Sequence, residues 1–381
     1  MLLGVELLDE LYSGVPSLGS ADIQASFGTT YGTTAAALLL VPGLVALIVE
    51  PVLFVLADRY PRKGFVVGGL LAMGVAAMAA ALATNVLALI AAVTLSFLGS
   101  GCGVALAQAS LVDASPERSE QALARWALLG ELGDLLAPVL LGALALCGLG
   151  WRASYVVVGA LALFCALLLL RPAFPAAHAD SGGEEAASSV MDALRTALRR
   201  KALVRWLAVA ALCELLDEIV VVFAALYLRD ELGAGPVARA IVIGVGIAGG
   251  LLGVAVTERL LTRVSALRLL EVSAVVCASS FVAWLFAPTL ELSALCFFVV
   301  GATAAPMYPI VSARAYRALP GRSGTVNAVA HLFTPFTLGA PWLLGVVADA
   351  FDTRVASALL LIQPLGVLLV SVQERRARGR K

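Results

Sequence analysis

Apolar runs of about 20 residues recur along the whole 381-residue chain, broken by short polar or basic clusters. A bilayer's hydrocarbon core of roughly 30 Å takes about 20 helical residues to cross at roughly 1.5 Å each, so every run is long enough to span it. Twelve runs stand near 2–22, 33–57, 64–84, 86–112, 124–148, 151–171, 206–228, 237–257, 266–287, 290–313, 324–348 and 354–373. They predict an all-α membrane protein with twelve transmembrane helices. The first run carries Glu6, Asp9 and Glu10 and lacks a basic front, which argues against a cleavable signal peptide.

The polar breaks carry the topology. If both termini are cytoplasmic, 22 of the 26 basic residues fall on the inside, leaving Arg152, Arg229, Arg239 and Arg354 outside. That skew fits an even number of spans, because inside loops retain Lys and Arg. It predicts a multi-pass protein of the inner (cytoplasmic) membrane. One break is long: residues 172–204 hold a polar run from His178 to Ser189 and then a basic amphipathic stretch from Val190 to Arg205. With Val190, Leu194, Leu198 and Leu203 near one face, this stretch suits a helix on the inner leaflet.

On either side of this linker the chain repeats itself. Glu-Leu-Leu-Asp-Glu occurs at 6–10 and at 214–218, Pro116-Glu-Arg118-Ser119 answers Pro320-Gly-Arg322-Ser323, and Ala137-Pro138-Val-Leu-Leu-Gly142 answers Ala340-Pro341-Trp-Leu-Leu-Gly345. The offsets are 208, 204 and 203, and each pair falls in the same numbered helix or loop of its half. The chain therefore reads as two parallel, pseudo-symmetric six-helix bundles, 1–171 and 205–381, joined by the linker 172–204.

Composition agrees: 61% of residues are hydrophobic, 14% are charged and mean hydropathy is +0.97, whereas soluble domains carry about 25% charge. The net charge of zero is sorted by membrane side and gives no reason to expect nucleic acid. Six cysteines without CxxC spacing predict neither a metal site nor a disulfide framework. No GxxxxGK[ST] motif occurs, so ATP-driven transport is unsupported, and nothing points to an enzyme or a cofactor.

Acids inside the apolar runs are the candidate chemistry. A carboxylate at mid-bilayer costs roughly 2.5 to 3.5 kcal/mol, so it persists where a cavity or partner compensates. Glu214, Asp217 and Glu218 stand at i, i+3 and i+4, which on an α-helix gathers them on one face near the middle of the seventh run. Glu6, Glu10, Ser13, Ser17 and Ser20 form a similar stripe in the first run, with Asp9 beside it. If the repeat is symmetric, Asp9 and Glu10 are also near midplane, which requires about ten residues ahead of Met1 unless the first helix starts at the terminus. Glu50 lies eight residues before Asp58, roughly 12 Å up the second helix, and Glu131 and Asp134 share a face of the fifth. No Lys or Arg lies comparably deep, Arg314 coming closest, so these acids must take up protons, bind a cation or face water. His331 either shares a proton pathway or is a hydrogen-bonded structural histidine. Among the aromatics Tyr12, Tyr31, Phe223, Tyr227, Trp284, Tyr308, Phe333, Phe336 and Trp342, most pack helices, and Tyr308 is the candidate for stacking on a substrate.

After the second run stands Ala57-Asp58-Arg59-Tyr60-Pro61-Arg62-Lys63-Gly64. This resembles the G-x-x-x-D-R-x-G-R-K/R loop of the major facilitator superfamily, with Phe54 and Pro61 in place of two glycines and a decayed second copy at Glu258-Arg259 and Arg263. The resemblance implies that Asp58, Arg59, Arg62 and Lys63 pair across the cytoplasmic faces and steady one conformation. It also implies that helices one, two, five, seven and eight line a central cavity. Gly130 to Gly142 resembles a degraded antiporter motif, G-x-x-x-G-P-x-x-G-G, with Ala137 and Leu141 replacing glycines. The stretch from Met307 to Asp349 resembles fosmidomycin-resistance and sugar or drug efflux members.

The expectation is a monomeric secondary active transporter that exchanges protons, or sodium, for a small cationic or zwitterionic compound leaving the cell, by alternating access. The alternatives are a proton- or sodium-coupled importer and a lipid flippase or receptor without coupled flux.

Overall fold

The computed structural model describes residues 2–29, 33–34, 36–171, 174 and 190–378; the side chains of Glu218 and Trp342 and all of Tyr31 lie outside it, as does the polar run 178–189. Every regular element among the described residues is helical. Ten helices are long and apolar enough to cross a membrane: Ala36–Ala57, Arg62–Leu82, Val86–Ala114, Pro116–Leu146, Trp151–Leu169, Ile241–Leu260, Ala266–Leu285, Leu290–Ala318, Ser323–Ala348 and Thr353–Ala377. They match spans two to six and eight to twelve of the sequence reading. Spans one and seven, which carry the repeated acids, are interrupted. Span one is helical over Leu3–Leu18 and again over Ser20–Phe27, and span seven over Lys201–Cys213 and Val220–Leu232.

Local chemistry sets the ends, and it repeats as the helices do. Asn85 accepts a hydrogen bond from Ala88 N at 2.9 Å to start span four, and Thr289 does the same for Leu292 N to start span ten, 204 residues later (289 − 85). Spans one and seven both stop at a glycine in the left-handed region, Gly28 at φ 59° and Gly233 at φ 60°, a conformation that a β-carbon disfavours.

Contacts group into two compact units. The first comprises Met1–Glu117, Leu129–Ala197 and Leu319–His331; the second comprises Arg118–Leu128, Leu198–Ala318 and Leu332–Lys381. Thus the first turns of spans five and eleven pack in the unit opposite to the rest of their own helix. Within units, small residues let helices approach closely. Spans eight and ten meet where Gly249 and Gly253 lie against the backbone of Phe298 and Ala302, the van der Waals packing that replaces hydrophobic driving force in lipid. Large apolar side chains such as Ile48, Leu146 and Leu369 point outward, as a hydrocarbon solvent permits.

Of the linker, the helix Val190–Leu198 is described. Its buried face is Ala193 and Ala197, while Met191 and Leu198 are exposed. The helix therefore packs on the protein through its alanines, with Leu194 half-buried and Met191 and Leu198 outward.

Candidate functional site

Span four is α-helical over Val86–Ser100, opens into a π turn over Gly101–Ala105 and resumes as α-helix over Leu106–Ala114. The sequence Gly99-Ser-Gly-Cys-Gly103 makes this its weakest stretch, because each glycine costs about 1 kcal/mol of helix propensity. Inserted turns of this kind are frequent at functional sites. Two predicted acids meet it. Ser100 Oγ donates to Asp9 Oδ1 at 2.7 Å, and the Glu50 carboxyl occupies the space that a β-carbon on Gly101 would fill. Ser100 and Gly101 stand halfway along their span, so Asp9 and Glu50 lie level with its middle.

Glu50 Oε2 is 3.1 Å from His331 Nε2, with the carboxylate side chain 6% and the imidazole 26% exposed. The Phe54 ring, one turn along span two, lies 5.2 Å from the imidazole. His331 sits at the start of a 3-10 turn, His331–Phe333. Pro335 explains the turn, since its missing N–H is the group that would bond the carbonyl of residue 331 in a continuous α-helix. The imidazole's other nitrogen, Nδ1, is buried with no hydrogen-bond partner. A proton there would bury an unsatisfied donor, which favours the neutral tautomer protonated on Nε2, the nitrogen beside Glu50.

Beside this pair, Glu10 accepts from Ser13 Oγ at 3.1 Å and faces the carboxyl of Asp134. Gly133 makes the approach of spans one and five possible, for a β-carbon there would stand 2.7 Å from Glu10 Cβ. Asp9 and Glu10 are half-buried and Asp134 is exposed. The first unit thus brings together five of the predicted residues: Asp9, Glu10, Glu50, Asp134 and His331. Among the described residues, none of the four acids makes an ion pair with lysine or arginine. Glu131, one turn before Asp134, is half-buried.

The second unit holds Glu214, Asp217, Glu218 and Tyr308. Residues Leu215–Ile219 form a π turn, so the α-helical spacing that gathered three acids on one face does not run through it. Leu215, Leu216 and Ile219 are buried, Glu214 is half-buried and Asp217 is exposed. Leu216 N finds its acceptor outside the helix, in Gln363 Oε1 of span twelve at 2.7 Å. Tyr308 is half-buried near the start of Met307–Ala318. Tyr12, Phe223, Tyr227 and Trp284 are core residues; Tyr12 bonds Ser96 and stacks edge-on with Tyr155.

The loop after span two forms a second polar centre in the first unit. Asp58 accepts from Gly324 N at 2.9 Å, from Thr325 N at 2.6 Å and from Thr325 Oγ1 at 2.7 Å. A carboxylate thereby caps the helix Ser323–Ala330, where the helix dipole and orphan N–H groups favour negative charge. Arg62, 2% exposed, bridges Asp58 at 2.8 Å to Asp113, which also accepts from Ser323 Oγ at 2.6 Å. Lys63 donates to the carbonyl of Leu170 at 2.6 Å, and Arg59 is exposed.

Sequence reasoning overlooked Asp113. The repeat offers a signal, because 204 residues on (317 − 113) stands Arg317, which pairs with Glu120 in the second unit together with Arg314 at 3.3 Å. Nearby Glu258 accepts from Gln121 at 2.8 Å and Arg125 at 2.6 Å. Both units therefore carry a carboxylate–base centre, with the sign exchanged at one equivalent pair, Asp113 and Arg317.

The profile of the Major Facilitator Superfamily matches residues 11–340. A stretch of 115 residues is 35% identical to the 4-hydroxybenzoate transporter PcaK of Pseudomonas putida, covering 30% of this chain and 26%, about a quarter, of that transporter's length. Among solved structures, the E. coli fucose:proton symporter FucP superposes with a TM-score of 0.78 at 16% identity over 97% of each chain. The human organic anion transporter MFSD10 gives 0.71 at 15% identity over 97% of this chain and 98% of that one. The proton:xylose symporter XylE gives 0.72 at 14% identity over 98% and 94%. At these identities the structural likeness is one of fold. With the profile covering most of the sequence, the chain belongs to the Major Facilitator Superfamily and is a multi-pass membrane transporter.

Proposed function

We propose that this transporter couples proton movement to the export of a small cationic or zwitterionic organic compound, by rocking of the halves 1–171 and 205–381 about a central site. The observation that carries this reading is the gathering of Asp9, Glu10, Glu50 and Asp134 with His331 level with the middle of span four. A carboxyl in apolar surroundings is retained at a cost unless it works. Facing carboxyls, such as Glu10 and Asp134, hold a proton between them or attract a cation, and binding of one displaces the other. Exchange of that kind is antiport. Glu214, Asp217 and Glu218 are the second half's contribution, and Tyr308 the aromatic wall. Asp58, Arg59, Arg62 and Lys63 stabilise one conformation. The sorting of basic residues supports cytoplasmic termini, with the membrane the inner one.

A second reading is proton-linked import of an anionic compound, and the stretch shared with the 4-hydroxybenzoate transporter supports the anionic substrate. That substrate is itself a carboxylate, which a group of acids repels until protons are taken up with it. In proteoliposomes the two differ in sign: external substrate acidifies the medium under antiport and alkalinises it under symport. Screening cationic, zwitterionic and anionic compounds for thermal stabilisation at two pH values selects the substrate. The reading requires a cationic or zwitterionic hit whose stabilisation disappears in Asp134→Asn; stabilisation by anions alone would overturn it.

A further inference from the structure

Span eleven presents Ser323, Asn327 and His331 at intervals of four, which places them along one helical face. Each holds a partner from the first half of the sequence. Ser323 Oγ donates to Asp113 at 2.6 Å, Asn327 Nδ2 donates to the carbonyl of Ala105 at 3.1 Å, and His331 Nε2 stands 3.1 Å from Glu50. The three rungs climb from the Asp58 cap, along the π turn of span four, to the mid-depth acid. Glycines mark both ends. A β-carbon on Gly324 would collide with the backbone carbonyl of Phe54, and one on Gly101 of span four would displace the Glu50 carboxyl.

We propose that this face of span eleven is the mechanical link between the proton site and the loop centre. Arrival of a proton on Glu50 weakens the His331 rung and loosens the cap that Asp58 places on Gly324 and Thr325. The inference rests on the proton-coupled reading above and adds to it the route by which occupancy is sensed. A bond from an imidazole N–H to a carboxylate is roughly twice as strong as one to a neutral carboxyl. A proton on Glu50 therefore removes much of the top rung without moving an atom of the loop. The groups facing Glu50 are His331 from span eleven, Asp9 from span one and the Cys102 thiol from span four. Those facing the cap are Arg62 and, through Arg62 and Ser323, Asp113. Glu50 is the mid-depth acid whose partner lies on this face of span eleven, which makes His331 a positioning residue rather than a carrier.

Amide hydrogen exchange across residues 324–331, measured on the purified full chain at pH 5.5 and 7.5 and corrected for intrinsic rates, tests the link. Wild type should exchange roughly tenfold or more slowly at pH 7.5 than at 5.5, the loss of one charge-assisted bond. Glu50→Gln should exchange at the fast rate at both pH values. His331→Leu should do likewise, whereas His331→Gln, which keeps a donor beside Glu50, should retain slow exchange and its pH dependence. Should a Glu50 variant not fold, Asn327→Ala, which removes an uncharged middle rung, should still speed exchange at 324–325. Slow, wild-type exchange at pH 7.5 in Glu50→Gln or His331→Leu would overturn the link. Substrate-driven proton flux, read on the same proteins, separates this from failure of the transport reading: flux with unaltered exchange refutes the link alone, and absent wild-type flux refutes the coupling alone.

Discussion

At the loop centre two aspartates share one arginine, and their burdens differ. Asp58 holds three donors of the span-eleven terminus besides Arg62, whereas Asp113 holds Arg62 and one serine. Removing one partner of a buried pair costs about 3–5 kcal/mol, because the other charge stays behind; losing a single bond of a shared pair costs about 1–3 kcal/mol. Asp58→Asn should therefore lower the unfolding midpoint markedly, and Asp113→Asn by a smaller margin. Thermal unfolding of the purified variants checks the order, and equal midpoints would contradict it. Asp58 and Arg62 were legible in the loop motif, but Asp113 resembled any acid at a helix end. Its role depends on a pairing with Arg62 across 51 residues of sequence, which no local pattern records.

The π turns are the element-scale finding. The length of the apolar runs located the helices because lipid demands about 20 apolar residues in a row, and that demand is written in composition. It did not locate the insertions at Gly101–Ala105 and Leu215–Ile219, since one extra residue in a turn leaves the run equally apolar. The gathering of Asp9 and Glu50 at one turn, and the exposed position of Asp217, were hidden with them. Two variants test these turns. Gln363→Leu strips the acceptor from buried Leu216 N and should cost about 1–3 kcal/mol, while Gln363→Glu keeps an acceptor and should recover most of it. Gly101→Ala places a methyl where the Glu50 carboxyl sits and should reduce flux at least about tenfold while helix content by circular dichroism is unchanged. A fully active Gly101→Ala would detach Glu50 from transport.

At the scale of the molecule, the duplicated sequence leaves equivalent machinery with unequal chemistry. The caps at Asn85 and Thr289 and the terminal glycines Gly28 and Gly233 repeat faithfully. The charges do not: Asp113 answers Arg317, and the acids of span five, Glu131 and Asp134, answer uncharged Thr334 and Thr337 at an offset of 203. The proposed proton site thus draws on the first unit, where Asp9, Glu10, Glu50 and Asp134 collect without a lysine or arginine partner among the described residues. The measurement that bears most directly on this account is external pH recorded as a stabilising cationic or zwitterionic compound is added to proteoliposomes of the full chain. Uptake should be accompanied by acidification of the medium in wild type and by none when Glu10 and Asp134 are changed together to Gln and Asn. Uptake with no movement of protons in wild type, or acidification that survives the paired substitution, would contradict it.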